Sequence, residues 1–124
     1  RCFAIAVPAD RFAPAQPRWR PFASIATWPG DKVRNQLHIR LSKPRQPGSN
    51  PTLTIDGRRF TLVAAGPEAW APDAATDAAI VAAMRIGRRM TATGRADDGS
   101  RIVEVYDLSG VASAIDAATL ACAR

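Results

Sequence analysis

At 124 residues, of which 47% are hydrophobic, the chain is long enough to bury one core and too apolar to be wholly disordered. No apolar run approaches the ~20 residues that a membrane-crossing helix needs. The net charge of +6 comes almost entirely from arginine, Lys32 and Lys43 being the sole lysines, and its scatter excludes the long basic run of a nucleic-acid-binding tail.

Cys2 to Val7 is short and apolar, as a strand buried on both faces is. Pro8, Pro14 and Pro17 then break the chain and predict a surface loop. Trp19 to Trp28 reads as a second strand, with Pro21 confining its start to an edge or a bulge. Trp28-Pro29-Gly30-Asp31 ends it in a turn. Between Asn35 and Leu41 the apolar residues fall on alternate positions, which sends Leu37, Ile39 and Leu41 to a core and Gln36, His38 and Arg40 to water. Lys43 to Pro51, rich in proline, is a loop. Thr52-Leu53-Thr54-Ile55 and Arg59-Phe60-Thr61-Leu62 flank Asp56-Gly57, a pair suited to the positive φ angles of a type I′ turn, so a hairpin is predicted.

Glu68 to Ala71 adds a short strand carrying Trp70. From Asp73 the period becomes helical: Asp73 can cap, Asp77 lies in the first turns, and Ile80, Val81 and Met84 recur among alanines. Gly87 supplies the stop. Arg88 to Gly94 and Ser100 to Leu108 read as a second hairpin around Asp97-Asp98-Gly99. Ser109 then caps a last helix through Ala121, with Val111, Ile115 and Leu120 on one side. Strands, a helix, a hairpin and a final helix, with no βαβ alternation, predict an antiparallel sandwich with two short helices at its margins. Residues 1–124 form one domain.

Cys2 and Cys122, the only cysteines, stand at opposite ends of the chain, a spacing that makes neither a CxxC motif nor a zinc knuckle. Inert buried thiols, a reactive thiol or a single bridge remain, and a bridge is expected. It would close nearly the whole chain, worth about 4–5 kcal/mol for a loop of about 100 residues in the chain-entropy model. Such a bond persists only in an oxidising compartment, so a periplasmic or secreted protein is expected, its signal peptide removed.

Signatures of catalysis and cofactor binding are missing: the sequence has no GxSxG, HExxH, GxxxxGK[ST] or GxGxxG. A single histidine excludes a multi-histidine metal site. His38 beside Ser24, Ser42 or Ser49 is the one route to a triad, and its place on a polar strand face favours an exposed structural role. Asp97-Asp98-Gly99 lacks the ligand spacing of a calcium loop and is read as a turn. No enzyme activity, cofactor or metal is expected. Trp28, at a strand end, and Trp70, before a helix, are candidates for partner contact, with core packing the plainer role. His38, Arg40, Arg59, Arg88, Arg95 and Arg101 would make a basic sheet face, suited to an anionic glycan or lipid headgroup such as lipopolysaccharide, if the strands bring them together.

The run Thr54-Ile55-Asp56-Gly57-Arg58-Arg59-Phe60-Thr61-Leu62, then Glu68-Ala69-Trp70-Ala71-Pro72-Asp73-Ala74-Ala75-Thr76-Asp77 and on to Met84, resembles the invasion-associated locus B proteins, exported proteins common in alphaproteobacteria. Cys2, Val33-Arg34-Asn35, Thr93-Gly94 and the closing Tyr106-Asp107-Leu108-Ser109-Gly110 with Cys122 extend the likeness over most of the chain. Arg11 to Pro21 and Trp28 depart from it. The resemblance implies an immunoglobulin-like β-sandwich, export to the periplasm or envelope, and association with host-cell invasion or envelope stress. It implies no catalytic residues and names no partner beyond an envelope component or protein.

Overall fold

Alternation along the third strand has the expected consequence: Leu37, Ile39 and Leu41 are fully buried. The structure is a computed structural model that describes residues 2–6, 21–28, 30 and 33–122, with backbone alone for Phe3, Ala6, Trp28, Val33 and Arg34. The expected proline loop after Val7, and Trp19, lie outside the described residues.

The strands are β1 (Cys2–Ala6), β2 (Phe22–Trp28), β3 (Val33–Arg40), β4 (Thr52–Ile55), β5 (Arg58–Thr61), β6 (Val63–Ala65), β7 (Glu68–Trp70), β8 (Arg89–Arg95) and β9 (Arg101–Asp107). The helices are α1 (Ala74–Ile86) and α2 (Val111–Cys122). All pairing is antiparallel, in a five-stranded sheet ordered β1-β2-β3-β7-β6 and a four-stranded sheet ordered β5-β4-β8-β9. The chain is therefore mainly β, a sandwich with two helices.

The core lies between the sheets. Ala23, Ile25, Leu37, Ile39 and Ala69 meet Leu53, Ile55, Met90, Ala92 and Ile102, while Ile80, Met84 and Ile115 of the helices complete it. Asp56 (φ 46) and Gly57 (φ 89) form the expected left-handed pair between β4 and β5. The strand β6 was not expected. It forms because Leu62 is buried between two exposed neighbours, carrying the chain from one sheet to the other, where Val63–Ala65 pairs with β7.

Helix α1 starts where Asp73 accepts the Thr76 amide at 2.7 Å. Asp77 does more than favour the first turn: its carboxylate accepts the Leu37 amide at 2.9 Å, just past the end of the β3–β7 pairing, and so joins helix to sheet. Gly87 ends the helix, though not in the left-handed conformation that usually selects glycine there (φ −81). Space selects it: a Cβ would fall 2.8 Å from Ile55 Cγ2 and 2.9 Å from the Ala83 carbonyl.

Two expectations about α2 need correction. At its start the Ser109 amide donates to Asp107 Oδ1 at 2.8 Å, and the helix begins after Gly110, so Ser109 is not the cap. Ile115 is buried, but Leu120 is 66% exposed. Five residues rotate a helix by about 140°, which takes Leu120 off the Ile115 face. Cys122, about 20° from Ile115 after seven residues, does return to the sheet, where it is bonded to Cys2 with the Cα atoms 5.8 Å apart.

Candidate interaction surface

Residues paired directly across antiparallel strands share one face, so register alone builds the surface of the five-stranded sheet. Opposite the core face, Ile5 pairs with Ser24, Ser24 with His38, His38 with Trp70 and Trp70 with Val63. One row thus crosses all five strands. Beside it runs a second: Phe22 with Arg40, Arg40 with Glu68, Glu68 with Ala65.

Side-chain contacts weld the rows together. The His38 ring lies parallel to the Trp70 indole, with centroids 5.6 Å apart and planes 9° apart. The Phe22 ring meets the other side of His38 edge-on at 5.3 Å. Glu68 is the hub: its Oε1 accepts from Arg40 Nε at 2.8 Å and its Oε2 pairs with His38 Nε2. The Arg40 guanidinium also lies 5.4 Å from the Phe22 ring centroid, within cation–π range. The ends of the first row are open, with Ile5 56% and Val63 44% exposed.

His38 is accordingly not the solvent-facing histidine expected from its strand position; three-quarters of its side chain is covered. Its polar face became an aromatic face because Trp70, its direct partner on β7, and Phe22, diagonal to it on β2, both supply rings. Of the three serines expected as its possible partners, Ser24 is adjacent in register, but its hydroxyl is buried and makes no hydrogen bond among the described residues. Ser42 is buried and gives its amide to Glu104, and the Ser49 hydroxyl donates to the Gln46 carbonyl. Among the described residues none of these three hydroxyls is hydrogen-bonded to His38, which pairs with Glu68 instead. Trp70 takes its place in the row; the Trp28 side chain lies outside the described residues.

The six residues considered for a basic face do not assemble as one. His38 and Arg40 belong to the five-stranded sheet, where Glu68 balances Arg40. Arg59, Arg95 and Arg101 lie on the outer face of the other sheet, Arg95 directly opposite Arg101. Arg88 precedes β8, and its amide donates to Asp56. Arg89, on the same outer face as Arg95, was not among the six. Between these arginines lie Thr52, Thr54, Thr61, Thr91 and Thr93, paired across β5, β4 and β8. The Asp97-Asp98-Gly99 turn is a hairpin turn, as expected, with Asp98 Oδ1 accepting the Ser100 amide at 2.9 Å.

Two carboxylates of consequence escaped the sequence reading. Glu68 is legible only through the β3–β7 register, which places it opposite Arg40. Glu104 carried a local signal: Ile102, Glu104 and Tyr106 share one strand face, so a charge stands on the core side of β9. Its Oε1 accepts the Ser42 amide at 2.8 Å, while Oε2 and the Tyr106 hydroxyl are buried without partners among the described residues. Burial pushes the Glu104 carboxyl above the usual carboxylate range against the opposing pull of Ser42, and pushes Tyr106 far up, with Glu104's charge adding to it.

Among known proteins, the chain matches no family model, no curated protein and no solved structure.

Proposed function

We propose that this chain is a non-catalytic, exported interaction protein of the bacterial envelope, as its resemblance to the invasion-associated locus B proteins implies. The immunoglobulin-like kinship and any role in invasion or envelope stress belong to the same proposal. The observation that carries it is the row Ile5, Ser24, His38, Trp70, Val63. The outward face of an antiparallel sheet ordinarily alternates to polar residues. Here it carries rings and aliphatic side chains, exposed at both ends, beside a salt-bridged arginine. Tryptophan and arginine together are the composition of protein-contact hot spots. The Cys2–Cys122 bond supports an oxidising compartment.

A photo-crosslinking residue at Val63, in a bacterium that exports the chain, tests this reading. A discrete adduct at Val63, missing when the probe is moved to Arg59 on the other sheet and lost with Trp70→Ala, is expected. Equal labelling from both positions, or none from Val63, would refute it.

A second reading has its own observation, the outer face of the four-stranded sheet. There Arg59, Arg89, Arg95 and Arg101 frame five threonines, with Asp107 the acid opposite Arg89. Guanidinium forks and hydroxyls suit the sulfates, phosphates or carboxylates of an anionic glycan or lipid headgroup. Retention on heparin that salt reverses, and that Arg59→Ser with Arg95→Ser reduces, is expected; flow-through at low salt excludes it.

A further inference from the structure

Strand β9 is the outermost strand of the four-stranded sheet, and its bonding to β8 determines which of its backbone groups are free. At the two ends of this hairpin the Ala96 amide donates to the Ser100 carbonyl and the Leu108 amide to the Arg88 carbonyl. Bonded and non-bonded pairs alternate along an antiparallel ladder. Counted through the register, Ile102, Glu104 and Tyr106 turn their amides and carbonyls toward β8. Arg101, Val103, Val105 and Asp107 turn theirs away. Among the described residues no strand pairs with that side. The strand has no proline and no bulge, two of the devices by which edges are guarded; its one inward-turned charge, Glu104, is held by the Ser42 amide.

We infer that β9 is a self-association edge, at which a second copy of this chain adds its own β9 antiparallel about a two-fold axis at Glu104 and joins the two four-stranded sheets into one. The charges on the strand select both the occupant and the register. With the axis at Glu104, Arg101 faces the partner's Asp107, Val103 faces the partner's Val105, and the same contacts recur by symmetry. Outward-turned residues then meet outward-turned residues, as the hydrogen-bonding pattern requires, and the whole strand is used. Moving the axis to Val103 leaves Asp107 without the arginine, and moving it to Val105 leaves Arg101 without the aspartate. The sequence Arg101-Ile102-Val103-Glu104-Val105-Tyr106-Asp107 is thus its own antiparallel complement: basic at one end, acidic at the other, valines placed symmetrically about the middle. Strand β5, at the opposite edge, carries two arginines and no acid, and has no such complement.

Glu104 falls on the axis, on the core side. Its bond to the Ser42 amide turns each carboxyl into its own subunit, so the opposed pair does not supply the contact. The contact is made on the other face by the paired ions, the half-buried Val103 and the backbone, Val105 being already buried within its own subunit. This edge lies on the sheet opposite the aromatic row and stands independently of the interaction proposed for it.

Sedimentation of the disulfide-bonded chain over a range of concentrations tests the inference. A species of twice 13.3 kDa is expected to accumulate as concentration rises. Arg101→Asp and Asp107→Arg should each weaken association about tenfold or more by setting like charges opposite one another, and combining them should restore it. Val103→Pro should abolish it, because the amide it removes points outward and is not part of the β8 ladder. A mass of 13.3 kDa at every concentration would overturn the proposal. So would a dimer indifferent to the charge reversals, or one that the double reversal fails to rescue. If Val103→Pro does not fold, the charge-reversal set decides alone.

Discussion

His38 lies face to face with Trp70, with 9° between the ring planes, and the two are direct cross-strand neighbours on β3 and β7. This contact makes the polar side of β3 a packed surface. Glu68 reinforces it by reaching both His38 and, two residues along the same strand, Arg40.

Trp70→Ala should cost about 1–2 kcal/mol in denaturant unfolding, the stacking contribution plus part of the indole's burial. Trp70→Phe should retain most of it. His38 is the only histidine, so its ring protons are unambiguous in an NMR spectrum. They should carry a ring-current shift that survives Trp70→Phe and collapses with Trp70→Ala. Unchanged His38 shifts in the alanine variant would dismiss the stack.

Gly87→Ala should destabilise the fold by about 1–3 kcal/mol through overpacking. The new Cβ would meet Ile55 Cγ2 at 2.8 Å and Leu108 Cδ1 at 3.2 Å, and it cannot avoid the Ala83 carbonyl at 2.9 Å. Because φ is −81, backbone strain contributes nothing, and Gly87→Ala combined with Ile55→Leu, which removes the Cγ2 branch, should recover part of the loss. Equilibrium unfolding of the single and double variants measures this.

Period and turn chemistry made most of the fold legible. Leu37, Ile39 and Leu41 alternate, Asp56-Gly57 demands its hairpin, and Asp73 with Gly87 brackets a helix; all are local signals. Strand β6 was not legible, because three residues are too few for a period and its place depends on pairing with β7. The site was less legible still. Whether His38 meets water, an acid or a ring depends on which strands flank β3, and that is a property of topology. The same dependence divided the basic residues: their parities were readable, but their assignment to two sheets was not.

Breaking the Cys2–Cys122 bond should cost about 2–5 kcal/mol and act first on α2. That helix has one fully buried residue, Ile115, with Val111 partly buried beside it, while Leu120 is exposed. Its remaining attachments include the Arg85–Asp116 pair, an exposed contact at 2.6 Å worth little on its own. In a Cys2→Ser, Cys122→Ser variant, amide exchange should accelerate in 111–122 well before it does in β3. Uniform acceleration would indicate that the bridge stabilises the whole sandwich evenly.

Glu104→Gln isolates the one carboxyl on the core side of β9. Burial raises its affinity for a proton in the folded state above that in the unfolded chain. The folded state then binds more protons between the two pKa values, so this group's contribution to stability is greatest at acid pH and falls as pH rises through the folded value. Glutamine keeps an oxygen for the Ser42 amide and replaces the unpartnered Oε2 with a donor. The variant carries no buried charge at neutral pH, where the parent must ionise, and should be the more stable there by about 1.4 kcal/mol for each pH unit by which burial raises the carboxyl. It should converge with the parent as pH falls. The difference between the two unfolding free energies, taken pH by pH, cancels the exposed aspartates whose carboxyls are shifted the other way, such as Asp73 and Asp98. A flat difference would mean that Glu104 is as well solvated in the fold as in the unfolded chain.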